Sequence, residues 1–160
     1  MKKIIVLILL FIILNIQGCN NIKPQYPHLE SKPNISYYSD ILYSQIKGND
    51  NYKMEILNTN LYKTYTIKDK DKNILKNLFK SIPNQNYTNK KKLPENEAYR
   101  IKIYVNNEIY LIKIYSNELI SISPWDGNYE EDIINMDNVP KRYNLYDYCI
   151  YIEDKHNYDQ

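Results

Sequence analysis

From Tyr99 to Ile122 apolar and polar positions alternate with few interruptions. Tyr99, Ile101, Ile103 and Val105 are spaced by Arg100, Lys102 and Tyr104, and the pattern resumes from Glu108 to Tyr115 and again in Leu119-Ile120-Ser121-Ile122. A period of two is the signature of a strand with one face buried. Asn106-Asn107 supplies a two-residue turn of the type that needs positive φ, and Ser116-Asn117 a second turn. Together they predict a three-strand antiparallel meander. Its middle strand carries Tyr110, Ile112 and Ile114 on one side and Ile109, Leu111 and Lys113 on the other. One face is therefore expected to pack under a helix and the other to be partly covered by neighbouring side chains.

Before the meander the periodicity changes twice. Ile41, Leu42, Gln45 and Ile46 form a short helical stripe opened by the capping-type pair Ser39-Asp40. Tyr52 to Leu57 and Leu61 to Ile67 then read as two strands joined by Asn58-Thr59-Asn60. The clearest helix follows, with Asp69 or Asp71 as cap, Ile74, Leu75, Leu78, Phe79 and Ile82 on one face, and Pro83 as its stop. From Asn84 to Glu97 the chain is polar and reads as a long loop, a mobile or binding element. After Pro124-Trp125-Asp126-Gly127 the pattern is weak as far as Val139. Pro140 can then open a helix at its first turn, with Leu145, Tyr148, Cys149 and Ile152 at i, i+3, i+4 and i+7. A strand from Tyr146 to Ile152 competes, since tyrosine and isoleucine favour strands, but the helical period fits better. The fold class predicted is α+β: a mostly antiparallel sheet built from two strands, a helix and a three-strand meander, closed by a C-terminal helix.

The amino-terminal segment is patterned differently. Lys2-Lys3, an apolar run from Ile4 to Leu14 and a small residue before a break have the layout of a secretory signal. The run is about half the roughly twenty apolar residues that a bilayer-spanning helix needs. Ile16 stands three before Cys19, and Gly18 just before it. This end resembles a bacterial lipoprotein lipobox. The resemblance implies that the Cys19 thiol receives a diacylglyceryl group, that residues 1–18 are removed as a signal peptide, and that Cys19 becomes the mature N-terminus. Two acyl chains hold a protein stably on a bilayer where one holds marginally. Pro24, Pro27 and Pro33 lie in a polar stretch that reads as a tether over 19–36, leaving 37–160 as one small α+β domain.

Composition changes this picture in two places. The formal charge is +2, and loss of Lys2 and Lys3 with the signal leaves zero, so no basic excess remains to attract nucleic acid. Of two cysteines, lipidation uses Cys19 and leaves Cys149 unpaired among Tyr148, Ile150 and Ile152. A buried, inert thiol is expected there.

Candidate chemistry is sparse. Asp126, Asn128, Glu130 and Asp132 have the alternate spacing of calcium-loop ligands, but Gly127 is misplaced and Asp137 stands where a bidentate glutamate belongs. A solvated acidic turn is expected instead. No phosphate-cradling glycine loop, His-rich metal spacing or serine elbow is present, so no cofactor or metal is expected, and hydrolysis would rest on an Asp/Glu pair that nothing singles out. Lys90, Lys91 and Lys92 form a basic triple, read first as a solvated loop and second as a polyanion contact. Trp125, the single tryptophan, either plugs one end of the core or, with Tyr129 close by, grips a sugar ring or a partner protein.

Signal, tether and one small domain together resemble the uncharacterised small lipoproteins of low-GC Gram-positive, clostridial-type bacteria. The expectation is a non-enzymatic protein on the outer face of the cell membrane, held by its diacylglyceryl anchor. It would bind an envelope protein, glycan or peptide through Trp125, Tyr129 and Lys90 to Lys92. The alternatives are a surface inhibitor or self-protection lipoprotein and, less favoured, a cell-wall enzyme.

Overall fold

The computed structural model describes residues 31–89 and 92–158. Cys19, the signal segment, Lys90 and Lys91 lie outside the described residues. Three helices, α1 (Tyr37–Ile46), α2 (Asn73–Ser81) and α3 (Leu145–Tyr158), stand beside seven strands. The strands are β1 (Lys53–Asn58), β2 (Lys63–Thr66), β3 (Tyr87–Thr88), β4 (Tyr99–Val105), β5 (Glu108–Ser116), β6 (Leu119–Pro124) and β7 (Asp132–Asn135). They form one antiparallel sheet in the order β2-β1-β4-β5-β6-β7-β3. The α+β expectation and the β4-β5-β6 meander hold, and the final segment is helix.

Register explains why one face is the core. Tyr65, Ile56, Ile101, Ile112 and Ile122 lie directly opposite one another across five strands. A second row runs Met54, Ile103, Tyr110, and a third Tyr99, Ile114, Ile120, Ile134. All of these side chains are buried. α1 lies over β6 and β7 through Tyr38, Leu42 and Ile46, and α3 lies over β2 and β5 through Leu145, Cys149 and Ile152. α2 adds Leu75 and Leu78 from its stripe and packs against α1. All three helices cover the same face.

Local signals operate where their chemistry permits. Asn106 and Asn107 both adopt positive φ, 49° and 64°, as the tight β4-β5 hairpin requires. Ile82 leaves α2 with ψ 116° because Pro83 bars the helical conformation before it. Asn144 caps α3 by accepting from the Tyr146 N–H at 2.9 Å. Pro140 therefore precedes a short 3-10 turn, Lys141–Tyr143, and does not open the helix. Asp69 and Asp71 likewise form a 3-10 turn, and Lys72 at the head of α2 makes no side-chain cap.

Two other expectations are corrected. The Asn84–Glu97 stretch contains a 3-10 turn, Asn84–Asn86, and the edge strand β3, which pairs with β7. Asn86 is buried and donates to the Asn135 carbonyl at 2.6 Å, so this part of the stretch is framework. β7 itself lies in the segment where the pattern is weak. Asp132, expected in a solvated turn, is completely buried on the helix side. It accepts from the Ser39 backbone N–H at 2.7 Å and pairs with Lys32 at 3.0 Å. Asp132 thus supplies from the sheet an acceptor for an N-terminal N–H of α1, where Ser36 makes no side-chain cap and the helix's own Asp40 accepts from the Ser36 hydroxyl. Lys32 is nearly as buried, so the folded body takes in part of the stretch assigned to the tether.

Candidate functional site

Each strand sends its other side chains to the face that none of the three described helices covers. Nearest the β4-β5 turn, one row runs Lys53, Tyr104, Ile109. Trp125 continues it, because its N–H donates to the Ile109 carbonyl at 2.8 Å. The next row is Glu55, Lys102, Leu111, Ser123, and the one beyond it Leu57, Arg100, Lys113, Ser121, Ile133.

Trp125 is 62% exposed and does not plug the core. The turn after β6 sets this direction. A Cβ on Gly127 would meet the Tyr38 hydroxyl at 2.7 Å and Pro124 at 3.0 Å, so only glycine lets the turn close onto α1. The Tyr129 N–H then donates to the Tyr38 hydroxyl at 2.8 Å, and its ring packs on Tyr37 and Tyr38. Tyr129 is thereby spent in packing on the helix side, while Trp125 is turned to the open side, so the structure does not bring the two together. Lys92 is exposed, and Lys90 and Lys91 lie outside the described residues.

The open face has two electrostatic halves. Toward the Tyr99 end, Arg100 and Lys113 stand directly opposite each other, an arrangement that repels. Glu97 neutralises Arg100, with a 2.7 Å bond from Nε, and Glu131 takes both Lys113 and the Ser121 hydroxyl. Burial pulls the Lys113 ammonium pKa down, but the bond to Glu131 outweighs it and leaves the value raised. This half is closed on itself.

Toward the turn, Glu55 accepts from Lys53 at 2.7 Å and from the Tyr104 hydroxyl at 2.9 Å. The Lys53 bond holds the Glu55 carboxyl below its ordinary range. Lys102 differs. Its ammonium lies 5.7 Å from the centre of the Trp125 ring, and Glu55 feels it only through space. Among the described residues Lys102 has no carboxylate of its own, and its ring partner is largely in water. Beyond the row, Asn49, Asn51, Asn106 and Asn107 line a shallow cleft with Tyr104 and Ile109.

The thiol of Cys149 is fully buried beneath the sheet, and burial pushes its pKa up, away from thiolate. Asp132 is the one carboxyl among the described residues whose pKa is raised, again by burial, and α1 seals it from solvent. Sequence reasoning finds Trp125 but misses Lys102, Tyr104, Glu55 and Lys53. The signal was present in the polar positions of the alternating strands, which become one surface only once the strand order is known.

A family model described as Domain of unknown function (DUF4883) matches residues 32–149. One solved structure, "Crystal Structure of Putative Lipoprotein from Clostridium perfringens", is 30% identical with a TM-score of 0.71, covering 78% of this chain and 99% of that one. No curated protein matches the chain.

Proposed function

The chain belongs to the DUF4883 family, and from that premise we propose that it is a lipid-anchored protein on the outer face of the cell membrane, whose sheet face opposite the three described helices binds an envelope component. The lipobox ending at Cys19 supports the anchor, as does the solved relative described as a lipoprotein. The observation that carries the binding role is the pairing of an exposed Trp125 with Lys102 on a surface where neighbouring charges are already neutralised. Tryptophan leads among residues that anchor interfaces, and a cation not held by a carboxylate remains available to pair with a ligand's negative charge. A binding role fits better than a catalytic one, because the nucleophile Cys149 and the perturbed carboxyl Asp132 are both out of reach of solvent.

Metabolic labelling with a fatty acid is expected to mark the protein, and Cys19→Ala to abolish the label; label that survives the substitution contradicts the anchor. Crosslinking on intact cells is expected to recover less partner from Trp125→Ala than from the parent. Equal recovery, with folding intact, removes Trp125 from the site.

A further inference from the structure

We infer that the ligand of this face is an extended β-1,4-linked amino-sugar glycan bearing carboxylates, lying along the Tyr104-Ile109-Trp125 row with one end in the asparagine-lined cleft. This rests on the binding role proposed above and names its ligand. Three observations converge on it. Tyr104 on β4 and Trp125 at the end of β6 flank the β5 residue Ile109, so their backbone positions are about 10 Å apart at two strand spacings, and each ring has a lysine beside one face, Lys53 at 5.5 Å and Lys102 at 5.7 Å. In an extended β-1,4-linked chain successive rings turn over, and every second sugar presents the same face at a comparable repeat. Aromatic side chains on a flat sheet at that interval accept the apolar faces of alternate sugars.

Polar groups surround the row in the right chemistry. Asn49, Asn51, Asn106 and Asn107 each offer an amide donor and acceptor to hydroxyls or N-acetyl groups at the cleft, and Glu108, which also lines it, has its carboxylate engaged by Gln45 at 2.9 Å and Tyr110 at 2.8 Å. The positive-φ hairpin fixes the backbone of Asn106 and Asn107 before binding. Lys102 supplies the charge. It lies one row below Trp125, and a carboxylate on the bound sugar would meet an ammonium that no acid of this chain already holds among the described residues. A flat protein partner would instead be expected to use an apolar patch, and Ile109 is the single aliphatic residue in this row.

Trp125 is the only tryptophan in the chain, so emission excited at the red edge, where the 18 tyrosines do not absorb, reports on this site alone. Titration with peptide-free glycan strands of peptidoglycan is expected to shift the emission, with tighter binding than neutral chitotetraose at low salt. Lys102→Gln is expected to erase the preference for the carboxylated strand while leaving chitotetraose binding in place. Because removing Trp125 removes the signal, its variant is read by cosedimentation with insoluble peptidoglycan, where Trp125→Ala should weaken retention roughly tenfold. A flat fluorescence titration, or equal retention of Trp125→Ala, overturns the glycan assignment. If the cell crosslinks then yield a protein, the binding face stands and only its ligand is wrong; if they too are lost from this face, both fail.

Discussion

The two faces of the sheet are written by the same strands one residue out of step, and they are put to opposite uses. Ile101, Ile103, Ile112, Ile114 and Ile122 are sealed beneath three helices. Burying each such side chain stabilises by about 1.5–3 kcal/mol, so the helix side holds the fold. One residue away, Arg100, Lys102, Tyr104, Lys113 and Ser123 face outward. Their ion pairs are partly solvated and contribute roughly 0–1 kcal/mol each. Stability therefore resides on one face, and the other is free to vary in chemistry without unfolding the domain. On the helix side Asp132, with its partner Lys32, is a buried charge kept there where α1 needs an N–H group satisfied.

Substitutions can test this division, beginning with the largest effect. Ile112→Ala, on the central strand, is expected to cost about 3–4 kcal/mol, read from the urea midpoint at constant slope. Asp132→Asn follows at about 2 kcal/mol at neutral pH, through loss of a charge-assisted bond to the α1 N-terminus. Its pH dependence has a defined sign. Burial raises the Asp132 pKa above the ordinary 3.8. The group's contribution is then complete below the unfolded value and is lost as pH rises through the folded one. The advantage of the parent over Asp132→Asn should widen on acidification, and a gap that narrows in acid would show that Lys32 and the Ser39 N–H outweigh burial at this carboxyl. Leu111→Ala sharpens the comparison, since Leu111 is buried on the open side by neighbouring side chains alone. About 1–2 kcal/mol is expected, less than for Ile112 because that surface can collapse around the gap. Lys102→Gln and Trp125→Ala should lie within about 0.5 kcal/mol of the parent. A large loss at either would move it from the binding surface to the framework.

Alternation made the meander legible, because period two is read residue by residue from Tyr99 to Ile122 and the Asn106-Asn107 turn carries its own conformational demand. The α2 stripe and its Pro83 stop were legible for the same reason. β7 and β3 were not. β7 is four residues long, opens with an acid, and owes its place to pairing with β6 and to the Ser39 N–H and Lys32 that hold Asp132. β3 is two residues long and exists only because β7 offers an edge. Trp125 was visible as the lone tryptophan, but its direction depends on Gly127 closing onto Tyr38, a contact between segments 89 positions apart in number. Lys102 was hidden most completely, since its significance lies in what its cross-strand neighbours do with their charges.

Site-specific photo-crosslinking on intact cells tests the central division most directly. A photoreactive residue placed at Ile109, on the open face, is compared with one at Tyr151, which is half exposed on the outer side of α3. The expected result is an abundant crosslinked species from position 109 and none above background from position 151. Crosslinks from position 151 with none from position 109 would contradict the account and move the working surface to the helices.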